Sequence, residues 1–478
     1  MRYFSLLIWA AMAAPAWSGE LRVGAATVPI TPPVGIPMAG YYSERGAQGV
    51  HDDLLAKALV LEAGGRSAAL VVLDLITTPR DLVEEARRAI ERTTHLRGAD
   101  VMISATHSHT GPVLDPKSAF GGQSELVKDY RAGLPARIAE AVRRAEGQLT
   151  PAKVFSARGR EESIAFNRRY HMKDGTVGWN PGKLNPNILK PAGPIDPEVP
   201  IVYLESTAGR PLATYVNYAV HLDNVGEPRI SADLPDTLSR SLAEFKAPEM
   251  VTLFSAGCCG DVNHIDVHWG APQRGFANAA RMGTILAAEV LRTWPRLTPV
   301  DATAIRVKGE TVRLALPEIS DADIARSRAV VARMKDAKAA RPGFLEMVAA
   351  FKTLDVAARE GRPQEVEVQV IALGNELAWV SLPGEIFVEL GLAIKQDSPF
   401  PRTIIAELAN GSIGYIPARR AYAQGNYEVI SARCAEGSGE RLVEAAIRLL
   451  KDLYAGAPKA SSAPGVTAPR VGTGAATR

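Results

Sequence analysis

The stretch that decides the architecture is Val101-Met102-Ile103-Ser104-Ala105-Thr106-His107-Ser108-His109-Thr110-Gly111-Pro112. It is an apolar strand that runs into two histidines and stops at a Gly-Pro turn. Side chains alternate faces along a strand, so Val101, Ile103, Ala105, His107 and His109 share one parity. That reading places both imidazoles together at the rim of a sheet. Histidine is the commonest metal ligand, and sheet rims are where such sites are built. A short His-x-His is a weak motif by itself, and a pair of hydrogen-bonded loop histidines reads equally simply. The rest of the chain decides between these.

Strands and helices interleave on both sides of this stretch. Leu21–Pro33 is β-rich, and Ala58–Leu61 with Ala68–Leu75 forms a hairpin about Gly64-Gly65. Asp81–Thr94 carries Val83, Ala86 and Ile90 on one helical stripe. Ser124–Ala145 is helical with an interruption or kink at Pro135. Tyr170–Pro200, rich in Gly, Pro and Asn, reads as a long loop bordering the active site. Strands return at Pro200–Glu205, Ala213–Ala219 and Met250–Ser255, and a helix covers Gly275–Trp294. Ser320–Glu360 is a polar helical hairpin capped by Ser320 or Asp321 and broken at Arg341-Pro342-Gly343. Val366, Val368 and Val370 alternate, turn at Gly374-Asn375 and return as Leu377–Leu382. A last helix spans Gly439–Leu453. The expected fold is α/β, with mixed β-sheets layered with flanking helices in a single large catalytic domain over residues 19–456.

The 478 residues are 46% hydrophobic and 22% charged, an ordinary globular composition. The net charge of +3 is interspersed, which argues against a nucleic-acid partner. Arg2, the apolar Leu6–Ala14 run and Ala16-Trp17-Ser18 read as a signal peptide over residues 1–18, implying a secreted or periplasmic protein. No later run approaches the ~18 apolar residues of a membrane span. Residues 457–478, rich in Ala, Pro, Gly, Ser and Thr, read as a disordered tail. Cys258, Cys259 and Cys434 are an odd set, so at least one thiol is unpaired, and a bridge from Cys434 to one of the adjacent pair is open.

Four further clusters place polar residues where apolar strands end. Tyr215–His221 leads to a single histidine followed by Asp223. Gly257–His264 is a small-residue turn that brings backbone N–H groups close to a ligand. Leu382-Pro383-Gly384-Glu385 delivers a carboxylate just before a helix. Gly411–Glu428 carries Tyr415, Tyr422 and Tyr427 among Gly, Asn and Gln.

The order "GAATVPITPP…MAGY", "LDL", "ISATHSHTGP", "NRR", "NYAVH", "GCCGDVN", "LPGE" and "GYIPARRAYAQGNYE" resembles the catalytic domain of neutral (non-lysosomal) ceramidases, from about Val23 to Leu453. The resemblance implies a Zn²⁺ held by His107, His221, Glu385 and Tyr415, with Tyr422 as the nearest competitor of Tyr415. It also implies that His109, Arg168 and Tyr427 bind or stabilise the reacting amide. Two imidazoles with a carboxylate leave zinc an open position for a water that ionises near neutral pH. Donors around the developing oxyanion then supply a large share of catalysis. Asn263 stands where the family has a serine, and His264 follows where it has proline. Asparagine is no nucleophile, yet its amide can hydrogen-bond a substrate. The family's additional β-sandwich is not expected here, where the sequence reads as a tail instead. The implied function is exported, zinc-dependent cleavage of an N-acyl amide, either ceramide or a related N-acyl lipid or small molecule, with transient contact to a membrane surface. The alternatives are a zinc hydrolase of another amide or ester, and an inactive exported binding protein of the same fold.

Overall fold

The computed structural model describes residues 20–336 and 338–456. The signal-peptide and tail expectations lie outside them. The larger sheet runs in the order Val251–Ala256, Pro211–Tyr218, Glu198–Ser206, Thr150–Arg160, Arg22–Pro29, Leu55–Ala63, Arg66–Leu73, Val101–Ala105, with Thr298–Pro299 paired to Thr150–Arg160. The smaller sheet is Ile305–Leu314, Gln364–Leu373, Leu377–Ser381, Arg402–Ala406.

Pairing is antiparallel within both sheets except at three places. Arg66–Leu73 with Val101–Ala105, Pro211–Tyr218 with Val251–Ala256, and Leu377–Ser381 with Arg402–Ala406 are parallel. Parallel neighbours need a crossover. The helices Arg80–Thr93, Leu234–Lys246 and Val388–Asp397 supply the three crossovers in turn.

The strand sequences explain the layering. In Leu55–Ala63, Leu59, Leu61 and Ala63 face one core, while Ala56, Ala58 and Val60 face another. The next strand repeats this with Ala68, Leu70 and Val72 against Ala69, Val71 and Leu73. Strands buried on both faces read as continuous apolar runs. The first core lies between the sheets, where Leu59, Leu70 and Leu253 meet Ile371, Trp379 and Ile404. The second packs the larger sheet on Arg80–Thr93 and Glu125–Glu146. Two further cores seat Leu234–Lys246 with Phe276–Thr293, and Val388–Asp397 with Ser438–Ala455. The fold is therefore α/β, helices outside and two mixed sheets within, with each fully buried Leu or Val worth about 1.5–3 kcal/mol relative to exposure.

Several local expectations hold. Gly64 and Gly65 take φ of 60° and 76°, the paired positive values that a two-residue hairpin turn requires. Ser320 caps the helix Asp321–Lys335, and the hairpin returns as Phe344–Ala357. Others are corrected. Of the two readings at Pro135 the interruption falls, because Glu125–Glu146 runs through that residue as one helix. The expected loop at Tyr170–Pro200 holds three short strands, Arg169–Met172, Val177–Trp179 and Ile188–Pro191; each is too short for its alternation to show between the glycines and prolines. Cys258, Cys259 and Cys434 are all free and buried, so the bridge does not form.

Candidate metal centre

The carboxyl ends of the three parallel pairs meet at one place. Ligand sites in open α/β sheets gather where strands end in this way. Backbone contacts tie the ends together: Ser104 bridges Ala409, the His109 N–H donates to the Leu222 carbonyl at 3.2 Å, and the Glu407 N–H donates to the Ala256 carbonyl at 3.1 Å.

His107 arrives by a different route from simple alternation. The strand stops at Ala105, and the Thr106 and His107 N–H groups donate to the carbonyls of Leu73 and Leu75. His107 itself has φ of 73°, a left-handed conformation that is rare outside glycine and concentrates at functional sites. The backbone thus re-aims the ring. The buried parity of Val101 and Ile103 instead packs against the outer helices.

Each histidine of the cluster uses Nδ1 on a backbone carbonyl. His107 Nδ1 lies 2.9 Å from the Ile76 oxygen, and His221 Nδ1 lies 2.7 Å from Cys259 and 3.1 Å from Val262 oxygens. His109 Nδ1 lies 3.1 Å from the Gly40 oxygen. A carbonyl only accepts, so Nδ1 carries the hydrogen and Nε2 keeps its lone pair. This assignment follows from the partners. Such outer bonds are what fix a ligating imidazole. Gly40, at φ 98°, cannot be replaced without cost, because a Cβ there would sit 2.6 Å from His109 Nδ1.

The freed atoms converge. His107, His109 and His221 offer nitrogens within 4.8 Å of one another. His107 Nε2 is 3.3 Å from His109 Nε2 and 3.5 Å from Glu385 Oε2. His221 Nε2 is 3.1 Å from Glu385 Oε2 and 3.4 Å from Tyr415 Oη. Glu385 and Tyr415 face each other in register because Glu385–Ile386 pairs in parallel with Tyr415–Ile416. Four donors at ~2.0–2.2 Å from a tetrahedral ion would stand about 3.3–3.6 Å apart. The donor set and its spacing therefore fit a zinc-sized cation.

Electrostatics agree with that fit. Burial lowers His109 to about 3, helped by His107, and lowers His221 to about 4, helped by Arg168 and His107. Both are neutral near pH 7, the state that binds metal. Burial would lower His107 as well, but Glu385 prevails and raises it, so without a cation Nε2 shares a proton with that carboxylate, and metal binding would displace it. Burial would raise Glu385, yet His107 and His221 hold it well below the usual carboxylate range. Burial and Glu385 keep the Tyr415 phenol well above its ordinary value, against the pull of Arg168.

Arg168 is buried beside this cluster. Its Nε donates to Glu428 at 2.8 Å and its Nη2 to the Gly260 carbonyl at 2.7 Å. The guanidinium lies 5.4 Å from the Tyr415 ring and 5.9 Å from the Tyr427 ring. Tyr427 meets Tyr415 edge-on at 5.3 Å. Asn263 is buried, but its amide donates to Asn180 at 3.1 Å and accepts from the Ile265 N–H at 3.1 Å. Neither bond involves the imidazoles. Tyr422 donates to the Cys434 carbonyl at 3.2 Å, so it is not the tyrosine of the cluster.

A cavity of about 540 Å³ opens onto His107, His109, Glu385, Tyr415 and Tyr427. Tyr42, Phe120 and Phe351 give it an aromatic wall, and Arg433 a cation. A larger hollow of about 780 Å³, lined by Arg80, Arg313, Arg359 and Arg362, adjoins it across Ser412; none of the clustered residues lines that hollow.

One residue of consequence escaped the reading of the sequence. Glu407 is fully buried, accepts from the N–H groups of Cys259 at 3.1 Å and Ile386 at 2.9 Å, and so holds the backbone beside Glu385. Burial raises its carboxyl to about 8. It follows the apolar strand Arg402–Ala406 as Glu385 follows Leu377–Ser381, so the same signal marked it.

No family model and no curated protein matches this sequence. Among solved structures, the neutral ceramidase from Pseudomonas aeruginosa superposes with a TM-score of 0.71 at 18% identity, over 94% of this chain and 76% of that one. A ceramidase complexed with C2 gives 0.70 at 17%, over 94% and 77%. The chain has the fold of the neutral ceramidases.

Proposed function

We propose that this chain is an exported zinc-dependent hydrolase of an N-acyl amide, with a lipid amide of the ceramide kind as its substrate class. The observation that carries the reading is the approach of His107, His221, Glu385 and Tyr415 to metal-ligand spacing. A zinc ion held by these four would supply Lewis acidity and a water that deprotonates near neutral pH.

The chain's own residues account for the rest. His109 commits its Nδ1–H to the Gly40 carbonyl, so its Nε2 is a proton acceptor and becomes a donor only after protonation. That suits a hydrogen-bond acceptor that aligns the attacking water, since a value near 3 makes His109 too weak a base to keep a full proton at neutral pH. Arg168 is held by Glu428 and Gly260 against the rings of Tyr415 and Tyr427. Fixed in this way, Arg168 and the Tyr427 hydroxyl serve as donors to the amide oxygen as charge develops. The aromatic wall of the cavity suits an apolar acyl chain. The ceramidases of the same fold support an amide as the scissile group. The Arg2–Ser18 pattern supports export.

Elemental analysis of the purified chain, with hydrolysis of labelled N-acyl amides before and after chelation, tests this reading. We expect stoichiometric zinc, turnover lost on chelation, and recovery on adding zinc back. A metal-free chain that hydrolyses the amide at full rate would overturn it.

A further inference from the structure

We propose that the β-finger formed by residues 170–191 docks this protein on an anionic lipid surface, with Leu184 and Leu189 entering the interface. Among the described residues these two lead the exposed large apolar side chains, at 65% and 61%, with Phe245 at 60% on the helix Leu234–Lys246. Neither exposure is accidental. Leu184 has φ of 54°, a conformation that costs a branched side chain and persists only where the surroundings impose it. Leu189 sits where the pairing of Ile188–Pro191 with Arg169–Met172 slips by one residue, and such bulges re-aim a side chain out of the ladder. Trp269, 41% exposed, belongs to the neighbouring loop, whose Val267 carbonyl accepts from the Leu184 N–H at 2.7 Å.

Charge identifies the partner. Residues 170–191 contain Lys173, Lys183 and Lys190 against Asp174 alone. Lys183 donates to the carbonyls of Gly270 at 3.0 Å and Ala271 at 2.6 Å, which joins the finger to the Trp269 loop. Protein interfaces are depleted in lysine, and their hot spots are poor in leucine. Projecting leucines ringed by lysines suit a bilayer, where apolar tips enter and cations meet anionic head groups. Among the described residues no helix is long and apolar enough to cross a membrane, so contact of this kind would be peripheral. The finger is also rooted at the cavity: Trp179 stacks against Tyr427 at 4.5 Å and Phe344 at 5.5 Å. Docking there would present the cavity mouth to lipid. The inference concerns a surface and needs no turnover.

Flotation of the full chain with vesicles of phosphatidylcholine, alone or mixed with phosphatidylglycerol, tests it. The unaltered chain is expected to float with the anionic vesicles only. The double variants Leu184→Asn/Leu189→Glu and Lys173→Glu/Lys190→Glu should each lower the bound fraction at least tenfold, with melting temperature unchanged; asparagine tolerates the left-handed backbone at 184. Failure of the unaltered chain to float, or equal flotation of the variants, overturns the proposal. So does self-association that Leu184→Asn/Leu189→Glu abolishes, because the face would then belong to a second copy of the chain.

Discussion

Gly40→Ala is the sharpest test of how the centre is divided between holding metal and positioning the reactants. The new Cβ would stand 2.6, 2.8 and 2.9 Å from Nδ1, Cγ and Cβ of His109. All three contacts are shorter than van der Waals distance, so the ring has to move. It is bracketed by Tyr41, edge-on at 5.8 Å, and by His107 at 4.7 Å, so moving forfeits the bond to the Gly40 carbonyl. Alanine at φ of 98° adds backbone strain of about 1–3 kcal/mol. The variant should still fold, with a melting temperature lower by a few degrees. Loss of the group that aligns the attacking water costs roughly 10² in rate, while His107, His221, Glu385 and Tyr415 remain in place. Steady-state hydrolysis of an N-acyl amide, paired with metal content, reads both quantities. Retained zinc with turnover reduced by at least a hundredfold is the expected outcome. Unchanged turnover would refute the role given to His109. Loss of zinc together with turnover would make His109 a ligand and refute the division of labour.

Other perturbations separate the remaining roles. His107→Ala and Glu385→Ala should each release most bound zinc, measured by elemental analysis after dialysis. Arg168→Ala or Tyr427→Phe should keep the metal and lower kcat by about 10²–10³, the usual effect of removing an oxyanion donor. Tyr415→Phe should weaken zinc retention, whereas Tyr422→Phe should leave zinc and turnover unaltered and cost about 1 kcal/mol of stability, its hydroxyl serving only the Cys434 carbonyl. Glu407 gives a pH test in chelated protein. Its folded carboxyl holds a proton up to about 8, while the unfolded one releases it near ~4.3. In that window the native state binds more protons, so stability falls as pH rises. Glu407→Gln should flatten the decline in unfolding midpoint between about pH 5 and 8; an equal slope in both proteins would contradict the assignment.

Much of the fold was legible because its signals are local. The Gly64-Gly65 hairpin, the Ser320 cap and the stripe of Val83, Ala86 and Ile90 each declare themselves within a few residues. Leu234–Lys246 was overlooked although Asp233 caps it and Pro235 opens it, since Ser, Thr and Asp dilute its apolar stripe. Ile305–Leu314 and Arg402–Ala406 were overlooked too; most of the first is half-exposed or exposed on one edge. At the centre, residue types at strand ends and the family resemblance singled out His107, His221, Glu385 and Tyr415. The left-handed turn at His107 was illegible, because alternation describes strands and the strand had already stopped. Glu407 stands at the end of Arg402–Ala406, a strand that itself went unread, and its 0% exposure is set by long-range packing.

Three crossovers far apart in the chain each lend something to the same few cubic ångströms. His107 follows the first, His221 precedes the second, and Glu385 opens the third, with Tyr415 beyond it. An excised portion that stops short of either His107 or Tyr415 would lack a complete set of donors. Full coordination therefore needs both sheets in place, and the occupied fraction of a preparation should not exceed the fraction of molecules in which both have closed.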